Sequence, residues 1–278
     1  MPFRSVLFTP TTRLDRLDKA LAADPDWVAL DIEDGVGPGD KASAREALTR
    51  FAAKGLAESA GRLAVRINSP GHPEGIRDLA AMLDWPAWPG LLILPKVEAA
   101  SQARQLVGLA ASRDPAPAFL FTIETAAGVA NAVDIARAAP QGSALGYGSA
   151  DHMAETGGEM NACSLAFGRA QVLNAAAVAG LDSLDGVWLD YRDGDGLRRD
   201  ANLAKSMGFN GKFAIHPEQV GAINKIFSPT SEEVAEARAL LAAARKAGGG
   251  AFGRDGKMID APVLARAERI ANIGRRAR

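Results

Sequence analysis

LLILPKVEAASQARQLVGLAASRDPAPAFLFTIETAAG, residues 91–128, contains a strand, a helix and a second strand in order. LLILPKV (91–97) and AFLFTIET (118–125) are short apolar runs, and the stretch between them has helical composition and period. The same alternation extends in both directions. SVLFTP (5–10), WVALDIED (27–34), LAVRIN (63–68), SALGYGSAD (143–151), GVWLDYRD (186–193) and KFAIHP (212–217) bring the strand candidates to eight. Helical stretches such as DKASAREALTRFAAKGLAE, AAGVANAVDIARAA, SLAFGRAQVLNAAAVAG and GLRRDANLAKSMG separate them, several closed by Gly or Pro. Alternating strand and helix implies a parallel sheet with right-handed crossovers. Eight such units in a chain of 278 residues predict an α/β fold of the TIM (β/α)8 barrel type, with an open doubly wound sheet as the alternative.

The barrel is expected over residues 1–227, leaving 228–278 as an extension. SPTSEEVAEARALLAAARKAGGG opens on a Ser/Thr capping signal and reads as an amphipathic helix ending in glycines; AFGRDGKMIDAP and a last helical stretch, VLARAERIANIGRR, follow. Two readings of this tail stand open: a packing appendage, or a C-terminal helical lid hinged at Gly248, Gly249 and Gly250.

Composition excludes several function classes. Lys and Arg number 32 against 33 Asp and Glu, a formal charge of -1, so no broad positive field exists to attract nucleic acid or anionic lipid. An anionic ligand must be held by a few placed cations. The single cysteine, Cys163, rules out an intrachain disulfide and is expected to be a buried spectator thiol. No run is long enough to span a bilayer, and Pro10 and charges interrupt the N-terminal apolar run, so a cytoplasmic protein is expected.

In a TIM barrel the active site lies at the carboxyl ends of the strands, so polar residues closing apolar strands are informative. Asp31, Glu33 and Asp34 close the second candidate strand, Arg66 and Asn68 the third, Lys96 the fourth, Glu124 the fifth, Asp151 the sixth, Asp190 the seventh and His216 the eighth. Singly, each is better explained as a solvated loop residue or helix cap. Glu124 and Asp151 close adjacent strands with no cysteine or histidine pair beside them, an oxygen-only set that suits Mg²⁺. Arg66 can grip a carboxylate bidentately, with an ion pair to Glu33 or Asp34 as the simpler alternative. Lys96 is placed to offset the negative rim, by simple pairing or in catalysis. No histidine is assigned a catalytic role, and GFNGK (208–212) lacks the spacing of a phosphate-binding loop.

Taken together, RSVLFTP (4–10), LDIEDGV followed by Lys41 and Arg45, RIN (66–68), LPKVE (94–98), ETAAG (124–128) and GKFAIHPEQ (211–219) carry a resemblance. Over nearly its whole length the chain resembles the citrate lyase β-subunit-like family of acyl-CoA lyases, relatives of malyl-CoA and citramalyl-CoA lyases. The resemblance implies a TIM barrel, Mg²⁺ on Glu124 and Asp151, and substrate binding by Arg66, Glu124, Lys96 and Phe8. Lys41, Arg45 and Arg13 would then face coenzyme A. It also implies that GKMIDAP (256–262) belongs to the lid, with Asp260 acting in a neighbouring subunit, hence self-association as a trimer or hexamer. The expected reaction is carbon-carbon cleavage or formation of a 3-hydroxyacyl-CoA. The rivals are a metal-dependent pyruvate aldolase and a lyase subunit taking its acyl group from a carrier protein. One departure concerns the loop after the second ligand. Many relatives follow the acidic residue with a large apolar one, whereas GSADHMAETGGEMN places His152 after Asp151.

Overall fold

The computed structural model describes residues 3–54, 56, 61–111, 113–248, 250–254 and 256–276. Two compact units result, Phe3–Asn224 and a second beginning at Lys225. In the first, eight strands close into a parallel barrel in chain order: β1 Ser5–Pro10, β2 Trp27–Asp31, β3 Leu63–Arg66, β4 Leu91–Leu94, β5 Ala118–Ile123, β6 Ala144–Tyr147, β7 Asp182–Asp185 and β8 Gly211–Ala214. Pairing of β1 with both β2 and β8 closes the ring, which decides for the TIM barrel over an open sheet. The helices between them are α1 Leu17–Ala22, α2 Lys41–Ala52, α3 Pro73–Leu83, α4 Ala100–Ala110, α5 Ala126–Ala130, α6 Ala132–Ala138, α7 Ser149–Thr156, α8 Ala162–Ala179, α9 Gly194–Met207 and α10 Pro217–Phe227. Among the described residues no helix is long and apolar enough to cross a membrane.

Strand side chains alternate between two faces, and here both are buried. Val6, Trp27, Ala29, Ala64, Leu91, Ile93, Leu120, Ala144, Leu184 and Phe213 form one cluster in the barrel interior, with Phe8 and Val187 packed against it. Continuing that inward phase by two residues leads from Ala29 to Asp31, from Ala64 to Arg66, and from Leu120 through Thr122 to Glu124. The polar rim is thus the upper layer of the same stack that makes the core.

On the opposite phase, β7 and β8 carry charge. Asp185 and Lys212, both fully buried, meet Arg169 of α8 and Asp200 of α9. Arg169 donates to both Asp185 oxygens at 2.8 Å, and Lys212 Nζ donates to Asp185 Oδ2 and Asp200 Oδ2 at 2.6 Å each. Two cations balance two anions, so this buried network carries no net charge, and it ties these strands to the outer helices.

Four expectations need correction. The strand read at 186–193 is the preceding segment, Asp182–Asp185; GVWLDYRD begins the following loop, so Asp190 closes no strand. Asp151 lies in the first turn of α7 instead of ending β6. AAGVANAVDIARAA is two helices, broken at Asn131. Cys163 is exposed, just inside the N-terminus of α8.

The second unit holds α11 Ser231–Lys246, a hairpin of β9 Phe252–Arg254 and β10 Lys257–Ile259, and α12 Ala261–Arg276. Thr230 and Glu233 make a reciprocal capping box at the start of α11. Ala237, Ala267 and Ala271, with Leu240, Leu241 and Ile270, make the seam between α11 and α12. Gly248 has φ +79, a left-handed conformation that suits glycine, and Gly249 lies outside the described residues.

Candidate active site

Asp31 and Arg66 are register partners across β2 and β3, and their side chains form a two-pronged ion pair. Arg66 Nε donates to Asp31 Oδ1 at 2.8 Å and Nη2 to Oδ2 at 2.7 Å. Nη1 lies 3.1 Å from Glu33 Oε2, and the guanidinium stacks 4.2 Å from the centre of the Phe8 ring. Sequence reading paired Arg66 with Glu33 or Asp34; the structure adds Asp31 as its main partner. Burial alone would lower the pKa of Arg66, but Asp31, Glu33 and Glu124 raise it overall, so it stays charged. Asp31 also accepts the backbone N–H groups of Glu33 and Gly35, which folds the loop after β2 back over the rim.

Lys96 joins the acidic residues together. Its Nζ donates to Glu33 Oε1 at 2.5 Å and lies 3.5 Å from Asp34 Oδ2 and 3.6 Å from Asp151 Oδ1. Its backbone N–H donates to Glu124 Oε1 at 2.7 Å. That contact comes with Lys96 at φ +53, a left-handed conformation that costs a non-glycine residue about 1 kcal/mol or more and marks a constrained site. Burial would lower the ammonium pKa; Glu33, Glu124 and Asp34 outweigh it and raise it.

Glu124 is 2% exposed, and its pKa is pushed up to about 8, first by burial and then by the charges of Glu33 and Asp151, against the pull of Lys96 and Arg66. Glu33 is raised too, chiefly by burial. The cations on the rim therefore leave this carboxylate undercompensated. Space for it comes from Gly148, where a Cβ would fall 2.2 Å from Glu124 Cβ and 2.3 Å from Oε2.

Glu124, Asp151, Asp31, Asp34 and Arg66 line a cavity of about 340 Å³ whose apolar wall includes Phe8, Val187, Phe213 and Ile215. Thr122 Oγ1 and Ser149 Oγ, also on this lining, are buried without protein hydrogen-bond partners. Among the described residues no group of three or more His, Cys, Asp or Glu is arranged so that it could hold a metal ion by itself. The donors present fit a hard cation that takes two carboxylates and completes its shell with water and substrate oxygens.

The other cations named from the sequence have protein partners. Lys41 Nζ donates to the backbone carbonyls of Ile32 and Glu33 and so braces the loop that carries Glu33. Arg45 pairs with Asp78 and Glu74, and Arg13 with the exposed Asp15. A second cavity of about 360 Å³, between the ends of β1 and β8, is lined by Phe8, Arg16, Lys19, His216 and Pro217. Arg16 and Lys19 are not among the sequence candidates because Arg16 closes a six-residue 3-10 helix after β1 and Lys19 lies in α1, both beyond the strand ends. His216 stacks on Tyr191 at 4.4 Å, and its Nδ1 accepts the Glu218 N–H at the start of α10. Asp260 is exposed; its Oδ1 accepts the Val263 N–H, the position of an N-cap on α12.

Comparison with known proteins decides the relationship. Residues 4–217 match the HpcH/HpaI aldolase/citrate lyase family. The chain belongs to that family. A citrate lyase subunit beta-like protein of Deinococcus radiodurans is 36% identical over 275 residues, covering 96% of this chain and 95% of its own. An L-malyl-CoA/beta-methylmalyl-CoA lyase of Cereibacter sphaeroides is 32% identical, covering 97% of this chain and 93% of its own. Among solved structures, CitE of Mycobacterium tuberculosis in complex with magnesium, acetoacetate and coenzyme A superposes with a TM-score of 0.79 at 35% identity, over 98% of this chain and 97% of that one. This HpcH/HpaI member thus shares fold and length with relatives named as lyases.

Proposed function

We propose that this protein is a Mg²⁺-dependent carbon-carbon lyase that cleaves or forms a 3-hydroxyacyl-CoA thioester of the malyl, citramalyl or citryl class, giving an acyl-CoA and a keto acid. The observation that carries this reading is Glu124: a buried, undercompensated carboxylate beside Asp151, facing a cavity that also holds a rigid arginine. Relatives named malyl-CoA and β-methylmalyl-CoA lyase, and a CitE bound to magnesium, acetoacetate and coenzyme A, support the same reading.

Glu124 and Asp151 would hold the ion. When bound, Mg²⁺ supplies Lewis-acid polarisation of substrate oxygens. Arg66, locked by Asp31 and Glu33 and backed by Phe8, is preorganised to orient the keto-acid end and stabilise developing oxyanion charge without moving. Lys96 keeps Glu33, Asp34 and Asp151 from repelling one another and the substrate. Asp260, carried between the hairpin and α12, would exchange a proton with the acyl-CoA methyl or methylene in an oligomer of this chain. Arg16 and Lys19, lining the cavity beside β1, are better placed for the phosphates of coenzyme A than Lys41, Arg45 and Arg13, which have protein partners.

The test is a panel of malyl-, citramalyl- and citryl-CoA assayed with Mg²⁺, reading acyl-CoA and keto-acid products. Metal-dependent cleavage of at least one of them is expected. Condensation of free pyruvate with an aldehyde, with no thioester cleaved, would replace this reading with an aldolase. Turnover confined to an acyl group on a carrier protein would replace coenzyme A as the handle.

A further inference from the structure

His152 directly follows the second candidate ligand, and the structure gives its buried ring a polar partner. Tyr147, the last residue of β6, has the outward phase and is fully buried. Its hydroxyl lies 2.9 Å from His152 Nδ1, and the two rings meet edge to face at 5.8 Å. His152 is 5% exposed. The phenol reaches it past α8 at Gly168, where a Cβ would stand 2.4 Å from the Tyr147 hydroxyl. A notch in one helix and a polar side chain on another therefore converge on one buried hydroxyl. Burial pushes the Tyr147 pKa up to about 12, so the phenol stays protonated.

We infer that the Tyr147–His152 bond is a positioning device for Asp151: by clamping the first turn of α7 to the end of β6 and to α8, it fixes the direction in which Asp151 meets Glu124. Neighbouring residues on an α-helix project about 100° apart, so holding one side chain sets the azimuth of the next. Side-chain tips lie ~5–6 Å from a helix axis, and a rotation of α7 by about 20° would sweep the Asp151 carboxylate roughly 2 Å. Metal-ligand distances tolerate only about 0.2 Å. The last turn of α7 has its own tie, Glu155 accepting the Ala126 N–H at 2.7 Å, two residues beyond Glu124. The first turn of α7 is thus tied to the end of β6 and its last turn to the start of α5. A leucine at 152 would fill the space but leave the Tyr147 hydroxyl buried without its partner, at a cost comparable to a lost hydrogen bond.

This inference rests on Glu124 and Asp151 binding a metal, and the experiment separates the two claims. Mn²⁺, which prefers the same octahedral oxygen shell, is titrated alone into the full-length protein with free metal read by electron paramagnetic resonance. Tyr147→Phe and His152→Leu should each weaken Mn²⁺ binding about fivefold, the scale of one net hydrogen bond, and the double variant should be no weaker than either single one. His152→Asn, whose amide can take the place of Nδ1, should recover binding to within roughly twofold. A role confined to packing would lower the melting temperature of His152→Leu and leave the affinity of the folded protein, and the Asn rescue, unmoved. Unchanged affinity in Tyr147→Phe, which removes a single oxygen, overturns the clamp even if His152→Leu does not fold. Asp151→Ala binding Mn²⁺ like the native chain would instead overturn the metal reading beneath it.

Discussion

Glu124 is the ionisable group on which the proposed chemistry rests. Its folded pKa of about 8 stands above the 4.5 of an unperturbed glutamate. Between those values the folded, metal-free protein binds a proton at Glu124 that the unfolded chain does not, so this group's contribution to stability is full below about pH 4.5 and is lost as pH rises toward 8. Glu124→Gln removes that titration. The metal-free melting temperature of the native protein should therefore fall more steeply between about pH 5 and 8 than that of the variant, measured by calorimetry; parallel curves would refute a raised pKa. Metal binding runs the opposite way, because the ligand must lose its proton: Mg²⁺ affinity should rise with pH over the same interval. That Glu124 would be a buried carboxylate was legible in the sequence, since it follows directly on a strand of Phe, Leu and Ile. That Asp31 is the main partner of Arg66 was not, because register between strands is a tertiary property that linear spacing does not encode.

At the scale of elements, the sequence revealed periodicity and concealed connections. Seven of the eight candidate runs overlap the strands observed, because buried parallel strands are short and apolar. The seventh failed for a physical reason. The outward phase of β7, Ser183 and Asp185, is polar and made acceptable by Asn210, Arg169 and Lys212, so the strand lacks the apolar run that marked the others. Asp151 was misplaced onto a strand end because Gly148 stops β6 and α7 begins at the next residue. The hairpin of β9 and β10, three residues a side, is too short for any period to be read. The junction at Gly148 yields a sharp prediction. Gly148→Ala must displace Glu124, whose Cβ would lie 2.2 Å from the new methyl group. The variant should fold with native-like circular dichroism and lose at least tenfold in Mg²⁺ affinity, roughly what disturbing a ligand's immediate support costs. Native affinity would show that Glu124 is not held where the structure places it.

Across the whole molecule, near-neutral charge and 278 residues allow a large barrel and a smaller unit, and the family relationship extends over both. The second unit matters to the account through Asp260. Asp260→Asn should fold, bind Mg²⁺ normally and lose about 10²- to 10⁴-fold in turnover, the usual worth of a positioned proton donor or acceptor. Mixing Asp260→Asn chains with Glu124→Ala chains under conditions of subunit exchange should restore part of the activity, since a mixed oligomer unites an intact rim with an intact Asp260 from another chain. No restoration would place Asp260 in its own barrel's site or outside the reaction. Beneath all of these lies the claim that Glu124 and Asp151 share one divalent ion at the barrel mouth. The most direct measurement is anomalous diffraction from a crystal soaked in Mn²⁺. A single anomalous peak at roughly 2.0–2.3 Å from an oxygen of each carboxylate is the predicted result; a peak elsewhere, or none with the two carboxylates turned apart, would contradict it.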